Sequence, residues 1–445
     1  MKIERLYLSN FRRFRELEIS FDSKLTVLVA RNGQGKTTIL DAATAALGPF
    51  TGAFDLGKSK HIEVRDARYL RKEDRSDSEQ QFPVVIKADF DLLDEPVIRE
   101  LNSVKSKTTT KGSAHLNKLG KDLMEQVRQL QDINLPMLAY YGSGRLWNSH
   151  KNMQRKAVLS ESRSMGYEDC FSSASSFTQV QQWMSKATFA ALQQQSMEAY
   201  EGYPLQDQID GIKQTVNRVL QNQEWSGFHY SMQHEELAMT HADLGVLPVS
   251  LLSDGVRAMV SLVADMAWRC AKLNPYLGKD AQTKAKGIVF IDEVDMHLHP
   301  QWQQTVIGSL RESFPNIQFI VTTHSPQVLS TVPAECIRVL KNQTDSETGE
   351  LESTAKAPGH QSLGVASADV MATIQGVDPI PDVEPAHWLT EFKSLITNSQ
   401  LETERAQELK DKIMDHFGEH HQEWLECQRL IRLQVMKAKL PKRNG

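Results

Sequence analysis

The chain opens on alternating apolar positions. Ile3, Leu6 and Leu8, then Leu17, Ile19 and Phe21, flank Asn10-Phe11-Arg12-Arg13-Phe14 at strand spacing, which predicts paired strands. Leu25-Thr26-Val27-Leu28-Val29 is apolar at almost every position and reads as a buried strand. A polar loop with glycines follows, and then Thr38-Ile39-Leu40-Asp41-Ala42-Ala43 continues as a helix. The order is strand, loop, helix. Pro83 to Phe90 alternate as a strand, and Leu135 to Tyr141 form another, ending in Gly142-Ser143-Gly144-Arg145. Later, Val256 to Leu273 are strongly helical. Ile288 to Ile291 and Ile317 to Thr322 are buried-type strands on either side of a helix from Gln301 to Phe314.

The stretches between are more polar. Residues 51–80 are charged and irregular. Residues 99–125 place Lys105, Lys107, Lys111, Lys118 and Lys121 among Thr, Ser and Gly, which predicts a mobile surface segment. Residues 175–222 are Gln-rich at helical spacing and predict an inserted helical arm. They lack sustained heptads, which argues against a long coiled coil. From about residue 360 the pattern is a helical tail, ending in Lys437, Lys439, Lys442 and Arg443. No internal repeat is visible. Strands and helices at both ends of residues 1–340 predict an α/β sheet assembled from two separated lobes. The expected division is an N-terminal lobe at 1–174, a helical insertion at 175–225, a C-terminal lobe at 226–345 and a helical tail at 346–445.

Composition narrows the class. A chain of 445 residues, 40% hydrophobic and 24% charged, has the makeup of a soluble globular protein. The net charge of -5 excludes a uniformly basic nucleic-acid binder but leaves local basic patches open. Cys170, Cys270, Cys336 and Cys427 lie far apart, so neither a disulfide framework nor a zinc site is suggested. The start lacks a signal-peptide core, and no apolar run approaches a membrane span. The expected location is the cytoplasm, with no membrane association.

Three strand ends carry candidate chemistry. Ala30-Arg31-Asn32-Gly33-Gln34-Gly35-Lys36-Thr37 matches a phosphate loop at its last Gly, its Lys and its Thr, with Ala30 where the strict pattern has Gly. Glycines there let backbone N–H groups face phosphates at a helix N-terminus, so Asn32, Gly33, Gly35, Lys36, Thr37 and Thr38 are the candidate nucleotide contacts. Lys36 would reach the β- and γ-phosphates, and Thr37 would ligate Mg²⁺. Asp292 and Glu293 end an apolar strand, at the edge of the sheet where ligands bind in such folds. Asp292 would hold Mg²⁺ through water, and Glu293 would orient or deprotonate the attacking water. His324 follows Phe319-Ile320-Val321-Thr322-Thr323 and suits a γ-phosphate sensor that also positions Glu293. A lone histidine is more often structural, but its strand-end position favours the sensor. Ser253 and Gly255, in Leu252-Ser253-Asp254-Gly255, sit just ahead of a helix and could bind an anion. An ordinary Ser N-cap reads equally well from those four residues alone.

These motifs, in this order, resemble the ABC-type ATPase heads of the RecF, SMC and OLD group. The opening Leu8-Ser9-Asn10-Phe11-Arg12-Arg13-Phe14 looks like the start of those heads. Asp292-Glu293-Val294-Asp295-Met296-His297-Leu298-His299-Pro300 resembles their Walker B and D-loop junction. Tyr140 to Arg145, Leu251 to Gly255, and Thr322-Thr323-His324-Ser325-Pro326-Gln327-Val328-Leu329 are similar to the ATPases of Septu-type and retron-linked antiphage systems, a resemblance that spans most of residues 1–340. It implies an ABC-type P-loop head with a mixed sheet, ATP and Mg²⁺ as ligands, and ATP hydrolysis with turnover that can be slow. It also implies head dimers closed by ATP, with Ser253 and Gly255 as the signature, often in higher homo-oligomers that control a separate nuclease of HNH type. Asp295 and His299 match the D-loop. The Q-loop is not evident, and Gln154 is a weak candidate. Relatives of the OLD type fuse a Toprim nuclease after the ATPase. Here Cys336-Ile337-Arg338-Val339-Leu340 leads to Lys341-Asn342-Gln343, and the tail has no strand-borne acidic pair. Any nuclease is therefore expected on another chain. The lysines at 105–121, with Lys151, Arg155, Lys156 and Arg163, could contact DNA, although a solvated surface face is the favoured reading. The alternative function is a RecF- or SMC-like DNA repair ATPase without a nuclease partner. A transporter subunit is disfavoured, because the Asn-Phe-Arg opening and the lysine-rich insertion do not belong to transporter heads.

Overall fold

A six-stranded sheet, parallel except at one edge, organises the ATPase portion of the chain in a computed structural model. The structure describes residues 1–71, 78–144, 162–172, 177–195, 202–221, 224–344 and 351–439. In chain order the N-terminal elements are β1 (Ile3–Phe11), β2 (Phe14–Ser20), β3 (Leu25–Val29), α1 (Lys36–Thr51), β4 (Tyr69–Arg71), β5 (Ser78–Gln80), β6 (Val84–Phe90), β7 (Val97–Leu101), α2 (Ala114–Arg128) and β8 (Met137–Tyr141). Then come α3 (Phe177–Gln195), α4 (Leu205–Leu220), β9 (Trp225–Ser231), β10 (Glu236–His241), β11 (Gly245–Pro248), α5 (Asp254–Leu273), β12 (Gly287–Ile291), α6 (Val306–Ser313), β13 (Ile317–Thr322), β14 (Ile337–Thr344) and β15 (Leu351–Lys356). After a short helical turn at Ser367–Val370 come the longer helices α7 (Glu384–Thr397), α8 (Glu404–Phe417) and α9 (Gln422–Lys439).

The main sheet has the order β15-β14-β3-β13-β12-β8. Its inner pairs are all parallel, and β15 closes one edge antiparallel to β14. Every residue of β3, β8, β12 and β13 is buried. That matches their unbroken apolar runs, since a parallel sheet is covered on both faces. The alternating N-terminal segments instead form the antiparallel sheet β2-β1-β6-β7. In β2 the buried residues Phe14, Leu17 and Ile19 recur every second or third position and the residues between them are exposed, which leaves one face to solvent. Gln318, a polar residue inside β13, joins the two sheets. Its amide accepts from the Ile3 N–H at 2.9 Å and donates to the Ile3 and Asp22 carbonyls, both at 2.8 Å.

Two expectations change form. Residues 99–125 carry the end of β7 and most of α2, with Leu116, Met124 and Val127 buried on one helix face. Lys118 and Lys121 are exposed on the helix, and Lys105, Lys107 and Lys111 are exposed ahead of it. The Gln-rich insertion forms α3 and α4, and α4 buries Ile209, Ile212, Val216 and Val219 rather than standing clear as an arm. Pro49 lies inside α1 and cannot donate to the Ala45 carbonyl. The buried Arg99 guanidinium donates to that carbonyl instead.

By its internal contacts the chain divides into Met1–Gln375 and Gly376–Gly445. The division falls at Gln375, beyond the expected residue 345, because the segment after β15 packs onto the first unit through Val370 and Ile374. In the second unit α7, α8 and α9 enclose Phe392, Ile396, Leu409, Ile413, Trp424 and Cys427. The cysteines are all free and buried. Among the described residues, no helix is long and apolar enough to cross a membrane.

Candidate active site

Parallel pairing brings the ends of β3, β12, β13 and β8 to one edge, the topological reason that distant residues meet. The loop after β3 turns through Gly33 and Gly35, at φ 74° and 99°. Gly35 is required twice over. Its φ disfavours any side chain, and a Cβ there would lie 2.4 Å from Phe14 Cζ. Gly35 is also the N-cap of α1 and supplies no side-chain cap, which leaves the amide end of a 16-residue helix open to an anion. Asn32 and Thr37 are exposed beside it, and Thr38 is buried. Arg13, quoted in the opening motif without a role, donates to the Gly33 carbonyl and braces the loop.

Lys36 folds back over this loop. Its Nζ donates to the Ala30 carbonyl at 3.0 Å and lies 2.6 Å from His324 Nε2. Burial lowers the Lys36 pKa from its usual value, opposed by Asp292, Glu293 and Asp295. The His324 pKa is lowered as well, first by burial and then by the Lys36 ammonium. A neutral imidazole accepting at Nε2 from the lysine fits both shifts.

The acidic pair is held by a residue that the sequence reading passed over. Thr322, fully buried at the end of β13, donates to Asp292 Oδ1 at 2.7 Å and accepts from the Glu293 N–H at 2.8 Å. Asp292 Oδ2 accepts from the Thr37 hydroxyl at 2.7 Å. One threonine therefore orients the carboxylate facing the phosphate loop and the main chain of its neighbour. The signal was a polar residue closing an apolar strand opposite a strand that ends in two acids. Glu293 has a left-handed backbone at φ 52°, uncommon for a residue with a side chain. Thr37 and Asp292 offer hard oxygen donors side by side, the donor type that Mg²⁺ takes with phosphate oxygens. Among the described residues, no cluster of three His, Cys, Asp or Glu side chains could hold a metal ion without such oxygens.

Ser253 and Gly255 form a second group. Ser253 is the N-cap of α5, is exposed, and makes no side-chain capping bond. Gly255 packs under the turn after the acidic pair, where a Cβ would stand 2.5 Å from the His297 carbonyl. The segment at Ser253 to Gly255 and the turn at His297-Leu298 therefore touch within one chain. Among the described residues, no hydrogen bond joins Ser253 or Gly255 to the phosphate loop. His299 caps the short helix Pro300–Gln303, accepting at Nδ1 from the Gln301 N–H.

Gln154 lies outside the described residues, as do Lys151, Arg155 and Lys156 among the candidate DNA contacts. Arg163 is a correction to that set. Its guanidinium donates to the Leu273, Gln131 and Ile133 carbonyls, which commits it to the fold.

The description AAA domain matches residues 5–224. AAA domain, putative AbiEii toxin, Type IV TA system, matches residues 167–330. The Retron Vc95 probable ATPase of Vibrio cholerae serotype O1 biovar El Tor is 25% identical over 94% of this chain and 88% of its own. The Retron Ec83 probable ATPase of Escherichia coli is 25% identical over 94% of this chain and 84% of its own. The Septu protein PtuA of Bacillus mycoides is 31% identical over 36% of this chain and 22% of its own. Among solved structures, the SMC head domain from Thermotoga maritima aligns with 80% of this chain and 99% of its own, at 17% identity and a TM-score of 0.41. That superposition is too loose to bear on the site. The matched regions run from residue 5 to residue 330, and two proteins named as retron ATPases align with the chain nearly end to end, so in sequence this α/β chain is similar to P-loop ATPases that carry AAA domains.

Proposed function

We propose that this chain is the ATPase subunit of an antiphage defence complex, in which ATP closes two heads on each other and the closure controls a separate nuclease. Alignment over 94% of the chain with two proteins named as retron ATPases carries this reading, and the match to a Septu protein PtuA supports it. The HNH type of the nuclease, and assembly beyond the dimer, follow from the same resemblance.

The geometry supports the following roles. The open N-terminus of α1 and the Lys36 ammonium bind the phosphates of ATP. Thr37 and Asp292 would hold Mg²⁺, which would supply charge neutralisation to the phosphate oxygens. Glu293 takes the proton from the attacking water, and Thr322 holds its main chain at the strand end. His324, kept neutral, accepts a hydrogen bond at Nε2 from Lys36 and is placed to read the terminal phosphate. Ser253 and the exposed N-terminus of α5 are left to bind the nucleotide of a second head, because they make no bond to their own phosphate loop.

Co-purification of the chain with the products of its neighbouring genes tests the reading. The expected result is a nuclease subunit in the complex, whose cutting changes between ATP and no nucleotide. If the chain binds DNA tightly by itself and no nuclease ever co-purifies, the DNA repair reading replaces this one.

A further inference from the structure

The switch histidine is held from several directions. Just before it, the Thr323 N–H donates to the Leu28 carbonyl at 3.3 Å. Just after it, the Ser325 hydroxyl accepts from the Val328 N–H at 3.1 Å and caps the short helix Pro326–Leu329. The same hydroxyl donates to Gln303 Oε1 at 2.7 Å. Gln303 in turn donates to the Leu298 carbonyl of the D-loop at 2.9 Å. The His324 carbonyl itself takes a hydrogen bond from the Gln375 side-chain amide at 2.8 Å, across 51 residues of chain.

Gln375 is the last residue of the first unit, and Gly376, at φ 64°, leads away from it. It ends a π-helical turn, Met371–Gln375. Such turns are rare and concentrate at functional sites. The strap carrying that turn is fastened to the stretch beyond the switch. Ser362 donates to the Val332 carbonyl at 2.5 Å, and the Gly364 N–H donates to the Ser330 carbonyl at 2.8 Å. Gln361 accepts from the Ala334 N–H at 2.9 Å, and Val370 and Ile374 are buried in the core. A displacement of the His324 main chain must therefore strain this strap or move it.

We propose that Gln375 is a positioning residue for His324, and that through it the state of the switch histidine reaches the chain leading into the C-terminal helices. The proposal rests on reading His324 as the phosphate-sensing residue. The amide donor fixes the His324 carbonyl, and with it the angle at which the imidazole meets Lys36. Movement of His324 on phosphate binding pulls on Gln375 at the point where the first unit ends.

The test compares full-length Gln375→Met, which keeps the length and removes the donor, with Gln375→Lys, which restores one. ATP affinity, turnover and amide hydrogen exchange over residues 377–397 are measured with and without ATP, and thermal melts verify folding. Gln375→Met should lower turnover about tenfold at unchanged ATP affinity, the scale of one hydrogen bond in the transition state. The wild type should change its exchange over these residues with ATP, Gln375→Met should erase that change, and Gln375→Lys should recover part of both. Wild-type turnover and a wild-type exchange difference in folded Gln375→Met overturn the proposal. His324→Ala separates the two levels. A slow His324→Ala beside a wild-type Gln375→Met sinks the positioning role alone, whereas an unaffected His324→Ala removes the sensor reading and the proposal with it.

Discussion

Thr322→Val changes one buried atom and probes the support of both acidic residues. The substitution keeps the branched shape that suits a strand end and removes a hydroxyl that is fully buried. Two hydrogen bonds go with it: the 2.7 Å donation to Asp292 Oδ1 and the 2.8 Å acceptance from the Glu293 N–H. A bond to a charged group contributes about 1.5–3 kcal/mol, and a buried donor left without an acceptor costs about 1–3 kcal/mol. Both effects pass through one atom to adjacent residues, so they are not fully additive, and a total of about 2–4 kcal/mol is expected. Part appears as lost stability. The rest appears in catalysis, because the left-handed turn at Glu293 loses the contact that holds it at the strand end. A displacement of about 1 Å in a catalytic group can cost about a hundredfold. Single-turnover phosphate release should fall by about 10- to 100-fold, with ATP affinity within about threefold of wild type, since Lys36 and the α1 N-terminus are untouched. Thr322→Ser, which retains the hydroxyl, should stay near the wild-type rate. A folded Thr322→Val protein with turnover within about twofold of wild type would refute this account of the site's support.

Three other outcomes are expected. Lys36→Ala should abolish nucleotide binding in a fluorescent-ATP titration, and unchanged affinity would remove the phosphate-loop assignment. Gly35→Ala should also weaken nucleotide binding, because the new Cβ meets Phe14 and the backbone cannot keep φ 99°, with thermal melts to verify folding; wild-type affinity in that variant would contradict the loop geometry. The pH dependence follows from His324, whose pKa is lowered by burial and then by Lys36. The unfolded chain takes up a proton at this position before the folded chain does, so stability falls as pH drops from about 6.5 toward the lowered folded value. His324→Gln should therefore gain in urea-unfolding midpoint relative to wild type as pH is lowered from about 7 to about 5, and parallel profiles would count against the assignment.

The chemistry that was legible in the chain is local. The phosphate loop, the Asp292-Glu293 pair and His324 each follow an apolar strand, and a parallel sheet converts that common feature into a common edge. What escaped notice depends on partners far along the chain. Thr322 looks like one more strand residue until β12 is laid beside β13. Arg13 gains its role only when β1 and β2 bring it under Gly33. Gln375 carries no local signal, because its partner is a carbonyl 51 residues away. The helix α2 was hidden by its exposed face, where lysines mask the spacing of Leu116, Met124 and Val127. Helical spacing in residues 205–220 did predict a helix, but periodicity does not say which surface that helix will cover.

ATP-driven closure of two heads is the central claim, and mass measurement of the Glu293→Gln protein with and without ATP tests it most directly. Removing the catalytic base should slow hydrolysis by about 10²- to 10⁴-fold while ATP stays bound, so closed heads accumulate. The account predicts a shift with ATP to twice the nucleotide-free mass or to a higher even multiple, abolished by Ser253→Arg at the exposed end of α5. An unchanged mass with ATP demonstrably bound would contradict it.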